Sequence, residues 1–194
     1  MIHQNLKITG NVQGVGFRPF VYNLASRLGL KGFVANEPSG VSIEVYGIHS
    51  VLKEFHHALL ASHPPCARID SLAIKESHID KHIICNDFKI LTSLSNKQSN
   101  MAMEVPADQC ICQPCLRELF DSKNRRYRYP FINCTDCGPR YSLIKAMPYD
   151  RHTTSMSKFG MCQNCETEYL SPTQRRFHAQ PNACKICGPK LSLH

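Results

Sequence analysis

The 194-residue chain has no tryptophan, and nowhere is it continuously apolar over the ~20 residues that a bilayer-crossing helix needs. Its first residues lack a basic segment followed by a short apolar run, so they do not read as a secretory leader. These absences argue against a membrane partner and lead us to expect a cytoplasmic protein. Acids are also scarce, 15 against 23 lysines and arginines. The resulting formal charge of +8 raises the question of a nucleic-acid partner.

What the chain does have is cysteine. There are eleven. Cys66 and Cys85 stand alone in the first hundred residues and read as core residues. The rest fall between Cys110 and Cys187, and eight of them form Cys-x-x-Cys pairs. In a cytosolic chain, paired cysteines favour metal over disulfides. Metal-bound cysteines are thiolates, so a four-cysteine zinc site carries a formal charge of about −2. Two such sites would lower the chain from +8 to about +4. Much of the apparent basicity then becomes local counter-charge, and no nucleic-acid partner is expected.

The cysteines belong to a direct repeat. Cys112, Cys115, Cys134 and Cys137 recur 50 positions on as Cys162, Cys165, Cys184 and Cys187. Both copies read C-x2-C-x18-C-x2-C. Glu118 and Glu168 repeat in phase, as do "RRY" at 125–127 and "RRF" at 175–177. Four soft thiolates suit a tetrahedral zinc ion with metal–sulfur bonds of about 2.3 Å. With all four positions taken by protein, no site remains for water, so two structural Zn2+ ions are expected. One ion per repeat is the simplest assignment. A crossed arrangement, with the first and last pairs sharing an ion, stays open. Cys110 reads as a bystander. The basic–aromatic tracts read as solvated loops beside negative metal centres, with single-stranded nucleic acid as the alternative.

Residues 1–91 have a different texture. Strands are expected at 3–10, 31–36, 41–46, 69–76 and 86–91. Helices are expected at 19–29 and at 51–62, the second capped by Ser50, with Leu52, Phe55 and Leu59 inward. This order gives an α+β, ferredoxin-like βαββαβ domain. Residues 92–105 are polar and aperiodic and read as a linker, and 106–194 form a tandem zinc-finger domain with four cysteines per finger.

Between the first strand and the first helix lies "GNVQGVGFRP", residues 10–19, with three glycines and no acid. A glycine-rich turn feeding a helix N-terminus converges backbone N–H groups on an anion. Gly14 and Gly16 allow close approach, Pro19 suits the first helical turn, and Arg18 adds a permanently charged fork. Gly10, Val12, Gln13, Gly14, Val15, Phe17 and Arg18 fit the acylphosphatase signature G-x-V-Q-G-V-x-F-R. Gly32, Val34 and Asn36 supply its companion G-x-V-x-N. Residues 1–91 therefore resemble the acylphosphatase family. The resemblance implies that Arg18, with the amides of Gln13, Gly14, Val15, Gly16, Phe17 and Arg18, holds a phosphate. It also implies that Asn36 orients the attacking water. No general base is evident near either motif, so the substrate phosphate takes the water's proton and the leaving group must be a good one.

An acylphosphatase-like domain followed by two such fingers resembles the N-terminal part of the HypF family of hydrogenase-maturation carbamoyltransferases. That resemblance implies hydrolysis of carbamoyl phosphate to carbamate and phosphate. It further implies ATP-dependent transfer of the carbamoyl group to a cysteine of HypE, by nucleotide-binding and transferase domains beyond this chain, which would be a fragment. The fingers would hold domains in place or line a path for carbamate. Two other readings remain open at this stage: a nucleic-acid-binding zinc protein, and a non-catalytic interaction module with an inert acylphosphatase-like fold.

Overall fold

The computed structural model describes residues 1–78, 87–93 and 105–193. The chain divides into two compact units, Met1–Glu104 and Val105–His194. Cys85 and most of the expected linker lie outside the described residues. Among the described residues, no helix is long and apolar enough to cross a membrane.

The first unit runs β1 (Ile2–Asn11), α1 (Phe17–Arg27), β2 (Lys31–Glu37), β3 (Gly40–Gly47), α2 (His49–Ala61), β4 (Arg68–His78) and β5 (Phe88–Ile90). The sheet order is β4-β1-β3-β2-β5. β1 pairs antiparallel with β3 and β4, β2 pairs antiparallel with β3, and β5 adds to β2 in parallel. This is the expected ferredoxin-like plan with a short fifth strand on the β2 edge.

Alternation puts Leu6, Ile8, Val34, Val41, Ile43 and Val45 into one buried cluster with Val21, Leu24, Phe55 and Leu59 of the helices. The register carries this row across the sheet, with Leu6 opposite Ile43 and Ile43 opposite Val34. Both helices start two residues earlier than the sequence predicts. Ser50 does not cap α2: the cap position is Ile48, and Ser50 lies inside the helix. Leu52, Phe55 and Leu59 are buried as expected. Burial of that face sets the helix, and the cap follows from where β3 ends.

The second unit has little regular structure. α3 (Gln113–Phe120) and α4 (Gln163–Leu170) each begin one residue after the first cysteine of a quartet. Each helix leads into the same kind of turn. Arg128 donates its N–H to the Leu119 carbonyl at 2.8 Å, and His178 donates to that of Tyr169 at 2.9 Å. Both residues take left-handed backbone angles, φ 55° and 52°. The repeat in sequence is thus a repeat in backbone. The buried apolar cluster here is small: Tyr129, Ile132, Met156 and Ala183 around Cys115, Cys134 and Cys137.

Candidate functional site

The 10–19 turn joins the end of β1 to α1. Val12, Val15 and Phe17 are buried in the core, so three apolar side chains anchor the turn. Between them Gly14 and Gly16 sit at φ 69° and 77°, angles that a side chain resists. Gly16 is the cap residue of α1, and its carbonyl accepts the first helical bond, from Phe20 N–H at 3.1 Å. The helix itself supplies no acceptor for the amides of its first turn. No acid lies in that turn, so the positive end of the helix is not offset. Arg18 sits there, only 7% exposed.

Asn36 lies near the end of β2 and is fully buried. One contact that the motif reading missed connects it to the turn. The Gln13 side-chain amide donates to the Glu37 and Gly40 carbonyls, both at 2.8 Å. Gln13 thus fastens the start of the turn to the β2–β3 corner, one residue beyond Asn36. The motif reading gave Gln13 a backbone role only. Its buried side chain holds the two motifs together.

The structure gathers each cysteine quartet within its own repeat. In each, the four sulfurs lie within 4.8 Å of one another. Cys112 to Cys134 is 3.7 Å and Cys134 to Cys137 is 3.8 Å. Cys162 to Cys184 and Cys184 to Cys187 are both 3.8 Å, and Cys187 to Cys165 is 3.6 Å. A tetrahedron with metal–sulfur bonds of about 2.3 Å has edges of about 3.8 Å, whereas a disulfide needs about 2.05 Å. The quartets therefore fit four-coordinate metal and the local assignment. Cys66 packs partly buried against the first unit's core, and Cys110 is exposed.

The basic tracts are not solvated loops. Arg126 is 1% exposed and Arg176 is 5% exposed. Each tract reaches the other repeat. Arg125 donates to Cys165 Sγ at 3.3 and 3.4 Å and to Glu168 at 2.5 Å. Arg126 donates to both Glu168 oxygens, at 2.5 and 3.0 Å, and to the Ala183 carbonyl at 2.8 Å. In mirror fashion, Arg175 reaches Cys115 Sγ at 3.5 Å and Glu118 at 2.6 Å. Arg176 donates to Glu118 and, at 3.0 Å, to the Asn133 carbonyl. Burial alone would raise the Glu168 carboxyl, but Arg126 and Arg125 more than reverse this and hold it down at about 2. Glu118 is likewise lowered: its burial is outweighed by Arg176 and Arg175.

A profile of the acylphosphatase family matches residues 4–90, and one of the HypF finger matches 111–144 and again 161–194. Carbamoyltransferase HypF2 of Cupriavidus necator is 50% identical over 154 residues, 79% of this chain and 19% of that protein. The acylphosphatase of Archaeoglobus fulgidus is 40% identical over 83 residues, 42% of this chain and 92% of that protein. A crystal structure of full-length HypF in its phosphate- and nucleotide-bound form superposes with a TM-score of 0.90 at 46% identity. It covers 99% of this chain and 25% of its own. The chain thus spans about a fifth of the length of the HypF relatives it matches.

Proposed function

From a chain that belongs to the acylphosphatase family over residues 4–90 and carries the paired HypF finger behind it, we propose that the first unit hydrolyses carbamoyl phosphate to carbamate and phosphate. The observation that carries this reading is the buried Arg18 in the acid-free first turn of α1, behind Gly14 and Gly16, with Gln13 tying the turn to the strand that bears Asn36.

In this reading the amides of Gln13 to Arg18 and the Arg18 fork take the phosphate oxygens. Fixed donors of this kind stabilise charge as it grows on the phosphoryl group, and they need no reorganisation at the moment of reaction. The Asn36 side-chain amide orients a water in line with the bond that breaks. The water oxygen bonds to phosphorus as the bond from phosphorus to the carbamoyl oxygen breaks. The water's proton passes to a phosphate oxygen, and the bonding electrons leave with carbamate.

Each quartet holds one structural zinc, Cys112, Cys115, Cys134 and Cys137 in one and Cys162, Cys165, Cys184 and Cys187 in the other. The ion supplies a four-way cross-link where the apolar core is small. The HypF relatives suggest the wider setting. In the setting proposed here, carbamate goes on to ATP-dependent transfer to a HypE-type cysteine, by parts of a longer protein that this chain does not span. Thiolates kept for metal suit a reducing compartment, and the cytoplasm is the setting proposed for this work.

The test is phosphate release from carbamoyl phosphate by the wild-type chain and by Arg18→Ala. Loss of one such donor typically costs about 10²–10³ in rate, so release should all but vanish in the variant. No release from wild type, or equal release from both proteins, overturns the reading.

A further inference from the structure

The contacts of the repeated arginine pairs, 125–126 and 175–176, do not follow the repeat. Their ion pairs and sulfur contacts lie across it. Arg125 and Arg126 of the first repeat address Cys165 and Glu168 of the second, and Arg175 and Arg176 of the second address Cys115 and Glu118 of the first. The exchange continues in the backbone. The Thr135 N–H donates to the Arg175 carbonyl at 3.1 Å, and the Asn133 side-chain amide donates to the Pro181 carbonyl at 3.1 Å.

We propose that the two cysteine quartets form one reciprocally compensated metal-binding unit, in which each arginine pair positions and neutralises the thiolates of the other repeat, so that metal occupancy at one quartet supports occupancy at the other. This inference rests on the reading of the quartets as metal sites. A four-thiolate zinc centre carries a formal charge of about −2. Arg125 and Arg126 both donate to Cys165 Sγ, whereas Arg175 donates to Cys112 and Cys115 and Arg176 joins it on Glu118. Their forks are oriented by one carboxylate, so the charge is delivered at a fixed place. An arginine donating to a ligand sulfur stabilises the thiolate form, and such outer partners typically govern metal affinity about 10- to 100-fold. The guanidinium donors of each quartet come from the other repeat. They are in place only when that repeat is folded, and folding there follows its own metal. Occupancy of one centre therefore builds the surroundings of the other. A pair of independent fingers would have placed each arginine beside its own cysteines.

The experiment loads the whole 194-residue chain with 113Cd2+. Each quartet gives one cadmium resonance, assigned through coupling to its cysteine β protons. Arg125→Gln and Arg175→Gln are the informative variants, because these two side chains are part-exposed, unlike Arg126 and Arg176. Arg175→Gln should shift the resonance of the Cys112–Cys137 quartet and speed its release to a chelator about 10-fold or more. With both metals bound, the Cys162–Cys187 resonance should stay in place, and release there should speed up less, only as the first quartet empties. Arg125→Gln should do the converse. Arg175→Lys, which keeps the charge without the fork, should recover part of the slow release. A resonance shift at the variant's own quartet, an equal shift at both, or none overturns the reciprocal assignment.

The wild-type chain supplies a second arm that needs no variant. With one equivalent of Cd2+, native mass spectrometry should show mainly empty and doubly loaded protein. Dominance of the singly loaded form overturns the coupling. Wild-type protein that takes up no Cd2+ overturns the metal reading itself.

Discussion

Replacing Gln13 by alanine should loosen the glycine-rich turn at 10–19 while leaving its backbone amides in place. The Gln13 side chain is buried and donates two hydrogen bonds of 2.8 Å, to the carbonyls of Glu37 and Gly40. Each neutral bond contributes about 1 kcal/mol net, and a carbonyl left buried without its donor costs about 1–3 kcal/mol more. Water entering the space left by the side chain offsets part of that second cost. The expected loss is therefore about 2–4 kcal/mol. Hydrogen exchange of peptides from β1 and β3 reads the first unit alone, whatever the second unit does. Turnover should fall as well, chiefly in kcat, because the turn and the Asn36 strand lose their shared anchor. Gln13→Glu should be worse than alanine, since a carboxylate would face two carbonyls without a donor. Unchanged exchange in β1 and β3 for Gln13→Ala, within about 0.5 kcal/mol, would refute the anchoring role.

Three further outcomes follow from particular contacts. A Cβ on Gly32 would lie 1.9 Å from the Glu44 carbonyl oxygen, at φ +133°. Gly32→Ala should therefore destabilise the first unit by about 2 kcal/mol or more, read by denaturant midpoint, and a neutral substitution would contradict the β2–β3 register. The Glu168 carboxyl is depressed from its usual 4.5 to about 2. Its contribution is thus complete above about pH 4.5. At neutral pH, where metal can stay bound, Glu168→Gln should lower the stability of the second unit, and an unchanged second unit would refute the ion-pair assignment. Finally, a strong chelator should abolish amide protection in residues 105–193 while β1 and β3 keep theirs, because only the first unit has a large apolar core. Joint collapse of both units would contradict this division.

The first unit was legible because two ordinary signals agree there. Alternating apolar residues mark Leu6, Ile8, Val41, Ile43 and Val45 as one face, and the helical spacing of Leu52, Phe55 and Leu59 marks another. Helix starts were less legible. Ser50 has the chemistry of a cap, but a cap contributes about 1 kcal/mol, and burial of the α2 face together with the end of β3 decides the boundary. The motif residues Arg18 and Asn36 could be named from the pattern. The side-chain role of Gln13 could not, since the acceptors of its amide are backbone carbonyls that any residue presents. In the fingers, the cysteine spacing exposed the quartets, but the arginine pairing was hidden by the repeat itself. Arg125 lies seven residues from Glu118 and 43 from Glu168, so proximity in sequence favours the partner that the fold does not use. Glu118 and Glu168 were visible only as residues repeating in phase.

The same pairing changes what the charge of +8 means. Net charge predicts a partner only when the charged groups can meet it, and here several of the most suggestive ones face inward. Arg126, Arg140 and Arg176 are 1–5% exposed. Their guanidinium donors go to Glu168, to the carbonyls around Cys137, and to Glu118. Arg18 is nearly as buried, in the first turn of α1. A polyanion reader spreads its arginines along an open surface, and its affinity falls steeply with salt as counterions are released. An arginine already held by a carboxylate and a thiolate is not free to displace the counterions of a polymer. In the "RRY" and "RRF" tracts, whose composition alone suggests single-stranded nucleic acid, both arginines instead meet buried cysteine or glutamate of the other repeat. Among the described residues, Arg125, Arg126 and Arg175 donate to cysteine sulfur, so part of the second unit's positive charge is directed at its own quartets.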